Sequence, residues 1–175
     1  MASIPDPRTW YDGEIVSPEN LNTEIRDALK FLLNPPAVAV RMDVDVPITN
    51  NTWTRVPFDT VLRDTDGISD ALAPGLYTVV TPGLYISGMN VIFESNTTGR
   101  RDVAIYVNGE NLGRMSGPAA PGGGVTGLSV SRSLILAVGD TVEFKVYQGS
   151  GADLDIRGLT SAPERSGGYL TWLAQ

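Results

Sequence analysis

The side chains that most often carry enzymatic chemistry are missing from this chain, which has no histidine and no cysteine in 175 residues. Without histidine the commonest general base and the commonest metal ligand are both gone. Without cysteine no disulfide or thiolate metal site can form. A serine nucleophile would need lysine or a carboxylate as its base, and neither Ser-x-x-Lys nor Gly-x-Ser-x-Gly occurs. Glycoside hydrolysis needs two carboxylates facing across a sugar, one with a raised pKa. The 20 acidic residues offer many pairs and favour none. The expectation is a non-enzymatic protein with no catalytic, cofactor-binding or metal site. A polysaccharide hydrolase stays as the remote alternative.

Other clusters have a chemical and a plain reading. Asp64-Thr65-Asp66-Gly67-Ile68-Ser69-Asp70 has alternating oxygen ligands and a glycine, as a calcium loop does, but it lacks the EF-hand spacing and terminal Glu. It is read as a solvated turn, with calcium left open. Asn50-Asn51-Thr52 and Asn96-Thr97-Thr98 fit the glycosylation sequon and are read as turn residues. Arg100-Arg101 is the one adjacent basic pair and is read as a solvated strand start. With a net charge of −7 the chain has no overall footprint for nucleic acid. Trp53, Trp172 and the tyrosines are read as core or subunit interface rather than as a sugar platform. Trp10 and Tyr11 stand apart, as a docking anchor or as packing for the arm that carries them.

Local structure must place these groups. Ser17 is a good N-cap and Pro18 suits the first helical position. Leu21, Ile25, Ala28, Leu29 and Leu32 then fall on one face, and Asn34-Pro35-Pro36 ends the helix. A helix of about 15 residues is marginal alone in water, so its apolar face needs a partner. Its own β domain, copies of itself and another protein are all open as that partner. From Ala37 the period changes to two, with Val38, Val40, Met42, Val44 and Val46 alternating with wetter residues. Further strands are expected near 52–62, 76–81, 84–94, 102–107, 112–116, 128–137, 141–148, 153–159 and 168–174. Asn108-Gly109, Gly139-Asp140 and Asn96-Thr97-Thr98-Gly99 mark tight reversals. Residues 116–124, rich in Gly and Pro, are expected to be a mobile loop. Many short strands, with 19 Gly and 12 Pro, predict an all-β sandwich or jelly roll. The expected division is an arm and docking helix at 1–36 and a β domain at 37–175. The opening residues lack the pattern of a signal peptide, and no window has the length and apolarity of a membrane span.

The β region resembles the tumour-necrosis-factor-like jelly roll, in particular the complement-q globular head. The resemblance is carried over roughly residues 45–175 by ordered motifs. They are Val56-Pro57-Phe58-Asp59 with Asp66-Gly67, Pro82-Gly83-Leu84-Tyr85-Ile86 running to Phe93, Tyr106-Val107-Asn108-Gly109, Leu136-x-x-Gly139-Asp140-x-Val142, and Gly168-Tyr169-Leu170-Thr171-Trp172-Leu173. The family's collagen stalk is absent, and a helix occupies its place. The stretch Thr9-Trp10-Tyr11-Asp12-Gly13-Glu14-Ile15-Val16-Ser17, with Leu21-Asn22, Ile25-Arg26-Asp27 and Phe31 to Pro36, resembles the opening of tailed-bacteriophage virion proteins.

Together the two resemblances imply a homotrimeric virion protein, made in the host cytoplasm, with apolar inner sheets facing a threefold axis. The arm would dock on other virion proteins of the capsid or tail through Trp10, Tyr11, Leu21, Ile25, Leu29 and Leu32. Capsid decoration is the first hypothesis. A tail-tip or fibre protein holding a host-surface glycan is the second. No cofactor, nucleic acid or membrane partner is expected.

Overall fold

The computed structural model describes residues 5, 6, 8–158 and 165–175. The first four residues of the expected arm, Pro7, and the end of the strand expected near 153–159 lie outside the described residues.

The helix begins as its sequence requires. The Ser17 hydroxyl accepts the Asn20 N–H at 3.1 Å, and Pro18 opens α1 (Pro18–Leu21). The helix does not stay α-helical throughout. It widens into a π-helical segment, Asn22–Asp27, and tightens again as α2 (Ala28–Leu33). Asn34 ends it before the two prolines, with its own N–H donating to the Lys30 carbonyl. Packing, rather than period, decides which side turns inward. Phe31, off the predicted apolar face, is the one residue of α2 that is buried.

Twelve strands among the described residues make two antiparallel sheets. The first has seven strands: β1 (Ala37–Arg41), β2 (Val46–Ile48), β4 (Thr60–Asp64), β6 (Gly83–Phe93), β9 (Thr126–Leu136), β11 (Leu154–Ile156) and β12 (Gly167–Ala174). At its centre the order is β4-β1-β12-β6-β9. The second has five: β3 (Thr54–Arg55), β5 (Leu76–Thr78), β7 (Arg100–Val107), β8 (Glu110–Pro118) and β10 (Thr141–Gln148), with β10 at the centre beside β7. Alternate residues of both sheets meet in one core. Val38, Val40, Tyr85, Val91, Phe93 and Leu170 face Val103, Ile105, Val142, Phe144 and Val146. Phe144 is clamped between Phe58 and Tyr77, at 6.0 and 5.5 Å between ring centroids. This is the all-β jelly-roll sandwich expected from the strand pattern.

The turns follow their residues. Asn108 (φ 51°) and Gly109 (φ 82°) both adopt the left-handed conformation that a two-residue hairpin demands, and they join β7 to β8. Gly139-Asp140 makes a tight reversal, but it carries the chain from one sheet to the other, not along a hairpin.

Four expectations change. The strand expected near 52–62 splits into β3 and β4, which belong to different sheets. The strand read as continuous from Val38 to Val46 breaks after Arg41, because the Asp59 carboxylate takes the N–H groups of Asp43 and Val44 at 2.9 and 3.0 Å. Val44 is left exposed. The 116–124 loop is shorter, since β8 runs through Pro118 and a 3₁₀ turn covers Pro121–Gly123. Arg101 is not solvated. It is fully buried above the Phe93 ring, and its guanidinium donates to the carbonyls of Thr98, Arg100 and Asn96 at 2.9, 3.1 and 3.4 Å. Alternation along β7 puts Arg101 inward with Val103 and Ile105.

Candidate functional site

The residues expected to dock lie on the N-terminal arm and helix. Leu21, Ile25, Leu29 and Leu32 are 43–64% exposed, whereas Phe31 is 5% exposed. Phe31 seats its ring on Trp172 of β12, and the Trp172 indole N–H donates to the Pro82 carbonyl at 3.1 Å. The helix is therefore fastened to its own domain by Phe31, which lies off its leucine face. Further out, Trp10 and Tyr11 are 38% and 74% exposed. The Arg8 guanidinium lies 4.5 Å over the Trp10 ring and pairs with Glu14, whose carboxylate accepts the Tyr11 N–H. Trp10 and Tyr11 belong to one compact turn at Asp12-Gly13. The structure does not join them to the leucine face in one pocket.

A second open surface is the solvent face of the seven-stranded sheet. Its register brings Ala39, Tyr169, Gly88 and Ser131 into one row across four strands, with Ala37, Thr171, Ile86 and Ser133 in the next. The Tyr169 ring lies flat on Gly88, where a Cβ would sit 2.7 Å from its Cζ. Leu84 and Ile135 extend the apolar strip. A shallow groove of about 310 Å³ runs beside Tyr169 between Asn90, Ser129 and Ser131. The two rows across β1, β12, β6 and β9 carry no charged side chain, so another protein surface can pack against them.

The solvent face of the five-stranded sheet differs. Trp53, just before β3, folds across it, with ring centroids 5.7 Å from Tyr147 and 6.0 Å from Tyr106. Arg114 lies 5.5 Å over Trp53, Arg100 5.0 Å over Tyr147, and Lys145 4.4 Å over Tyr106. Asp102, fully buried beneath, accepts Arg114 at 2.8 Å and pairs with Arg100 at 3.2 Å. Its other oxygen has no hydrogen-bond partner. Glu143 pairs with Arg55 at 2.8 Å and Lys145 at 3.4 Å. Burial pushes the Glu143 carboxyl up, and Arg55 and Lys145 outweigh it, holding it below the ordinary glutamate range. The Tyr147 hydroxyl donates to Asn51 Oδ1 at 2.8 Å. Sequence reading missed this cluster, because Trp53, Tyr106 and Tyr147 were assigned to core or interface. Its signal was present in the polar and aromatic residues alternating along β7 and β10, which pair side by side.

The acidic loop at Asp64 is closed on itself. Its carboxylate accepts the N–H groups of Ile68 and Ser69 at 2.9 Å each, and the Ser69 hydroxyl. Burial raises the Asp64 carboxyl, but these bonds together hold it below the ordinary aspartate range. Among the described residues, no three His, Cys, Asp or Glu side chains are grouped to hold a metal ion, and no helix is long and apolar enough to cross a membrane.

No protein-family model and no curated protein sequence matches the chain. Solved structures do match it in fold. The globular domain of zebrafish complement 1qA superposes with a TM-score of 0.58 at 17% identity, over 80% of this chain and 98% of that one. Murine APRIL at pH 5.0 gives a TM-score of 0.58 at 15% identity, over 77% and 97%. Eiger TNF from S. frugiperda gives 0.56 at 14% identity, over 80% and 93%. At these identities the likeness shows the fold, a C1q/TNF-like jelly roll.

Proposed function

We propose that this chain is a non-enzymatic structural protein of a tailed-bacteriophage virion, working as a homotrimer that decorates the capsid. The observation that carries this reading is the apolar surface left open on the single chain by the leucine face of the helix and the Tyr169 face of the sheet. Three copies packed through the Tyr169 face would bury the flat strip around an axis, as a threefold assembly requires. That leaves Leu21, Ile25, Leu29 and Leu32, with Trp10 and Tyr11, to seat the trimer on another virion protein. The virion setting rests on the resemblance of the opening residues to phage virion proteins. A second reading, a tail-tip or fibre protein holding a host-surface glycan, is favoured by the aromatic and cationic face around Trp53.

The test uses the double variant Ile25→Asp with Leu29→Asp, followed by mass measurement in solution and by incorporation into particles. Two unpartnered carboxylates in a docked face cost on the order of several kcal/mol. The expected result is an intact trimer that fails to incorporate. Normal incorporation overturns the docking assignment, and a monomeric parent protein overturns the trimer. Localisation on particles by electron microscopy separates the readings, with density at threefold capsid positions for decoration and at the tail tip for host binding.

A further inference from the structure

We propose that the solvent face of the five-stranded sheet, centred on Trp53, binds an acidic saccharide. The inference deepens the glycan-holding reading and rests on it, but not on trimer formation or virion location. The first argument is vertical order. The two carboxylates of the cluster lie low, with Asp102 side chain 0% and Glu143 12% exposed, while Arg100, Arg114 and Arg55 stand 58%, 39% and 37% exposed. With Lys145, which is half-buried beside Glu143, four cations against two shielded carboxylates leave the cluster net positive on a chain of net charge −7. A negatively charged partner meets attraction here on a chain whose net charge repels it.

The second argument is the shape of the partner. Trp53, Tyr106 and Tyr147 form a rigid group of rings only partly covered by neighbours. The ring surface left uncovered suits the apolar face of a pyranose, and the cations lying over the rings are placed for a carboxylate or phosphate on that sugar. The cations are preorganised. Arg114 spends Nε on Ser116 at 3.1 Å and Nη2 on Asp102, which leaves its Nη1 donors for a ligand. Asp102 thus acts as a positioning residue, fixing Arg114 and Arg100 from below.

The test measures binding of the full chain to three immobilised acidic probes, sialyllactose, tetragalacturonate and a glycerol-phosphate oligomer, with maltotetraose as the neutral control. Binding to at least one acidic probe is expected, weakening as salt rises, with none to maltotetraose. Trp53→Ala should weaken it roughly tenfold or more, and Lys145→Gln, which leaves the rings in place, should weaken it while the melting temperature stays near the parent's. Leu72→Ser, at a fully exposed turn position outside the ring cluster and the Tyr169 face, should leave binding unchanged. Acidic-probe binding that survives both Trp53→Ala and Lys145→Gln overturns this site and leaves the glycan reading standing. Binding of maltotetraose alone overturns the acidic class. Failure of all four saccharides overturns both the site and the glycan reading.

Discussion

Phe31 meets Trp172 edge to face, with ring centroids 4.9 Å apart and ring planes at 86°. This pair, with the Trp172 N–H donating to the Pro36 carbonyl at 2.9 Å, couples the helix to the strand that runs beside β1. Phe31→Ala should release the helix without unfolding the sandwich. Amide exchange across residues 18–33 should rise by orders of magnitude while the core strands keep their protection. Equal loss of protection in both would show that the helix is part of the core.

The β7–β8 hairpin depends on Asn108 more than on a generic turn residue. Its side chain donates to Asp140 at 2.9 Å and accepts the Thr141 N–H at 2.9 Å, while its own backbone is left-handed. Asn108→Ala should cost about 1–3 kcal/mol in urea denaturation. Leu72→Ser, at a position 95% exposed, should cost almost nothing.

Arg101 answers three carbonyls from inside the core, with no carboxylate partner among its hydrogen bonds. Arg101→Ala should destabilise the fold by about 2–4 kcal/mol, since it removes packing over Phe93 and leaves those carbonyls without their donor. Arg101→Lys should restore only part of this, because a single ammonium cannot reproduce the planar fork. Equal melting temperatures for the two variants would refute that account.

The acid limit of stability follows from carboxyls held low. Asp64 is held down by hydrogen bonds despite burial, Asp140 by Asn108 and the Ala137 N–H, and Glu94 by Arg157. Such groups bind protons more weakly folded than unfolded. Their stabilisation is full above the unfolded value, 3.8 for Asp, and is lost as pH falls through the lower folded values. Asp64→Asn should therefore lower stability at neutral pH, and the gap from the parent should shrink in acid. At the alkaline end the sign reverses. Burial, with Asp66 nearby, pushes Tyr85 up to about 12. Its contribution is full below the unfolded value of 10 and drains away as pH rises through 12. Denaturation measured from pH 2 to 12 checks both limits.

Fold class was legible because its determinants are local. Period-two alternation, the left-handed Asn108-Gly109 pair and the Ser17-Pro18 cap each act within a few residues. What escaped depended on long-range register. Arg101 and Arg100 look alike in sequence, yet alternation against Val103 sends one into the core and the other to the surface. Phe31 lay off the helical stripe, and only the placement of Trp172, 141 positions later, makes it the seat. The Trp53 face needed β3, β10 and β7 aligned before its rings met. The break after Arg41 came from Asp59, a side chain on a different segment that competes for backbone N–H groups.

The central position of β12 sets an order of events during synthesis. It lies between β1 and β6, pairing Ala37 with Thr171 and Ile86 with Thr171 from its two sides. Until the ribosome has made β12, β1 and β6 each hold an open edge, in a nascent chain already rich in apolar β segments. The sheet therefore closes as an insertion, and it closes late. Loss of a few residues from β12 does not trim an edge but removes the keystone, leaving two unpaired edges able to capture a neighbouring chain.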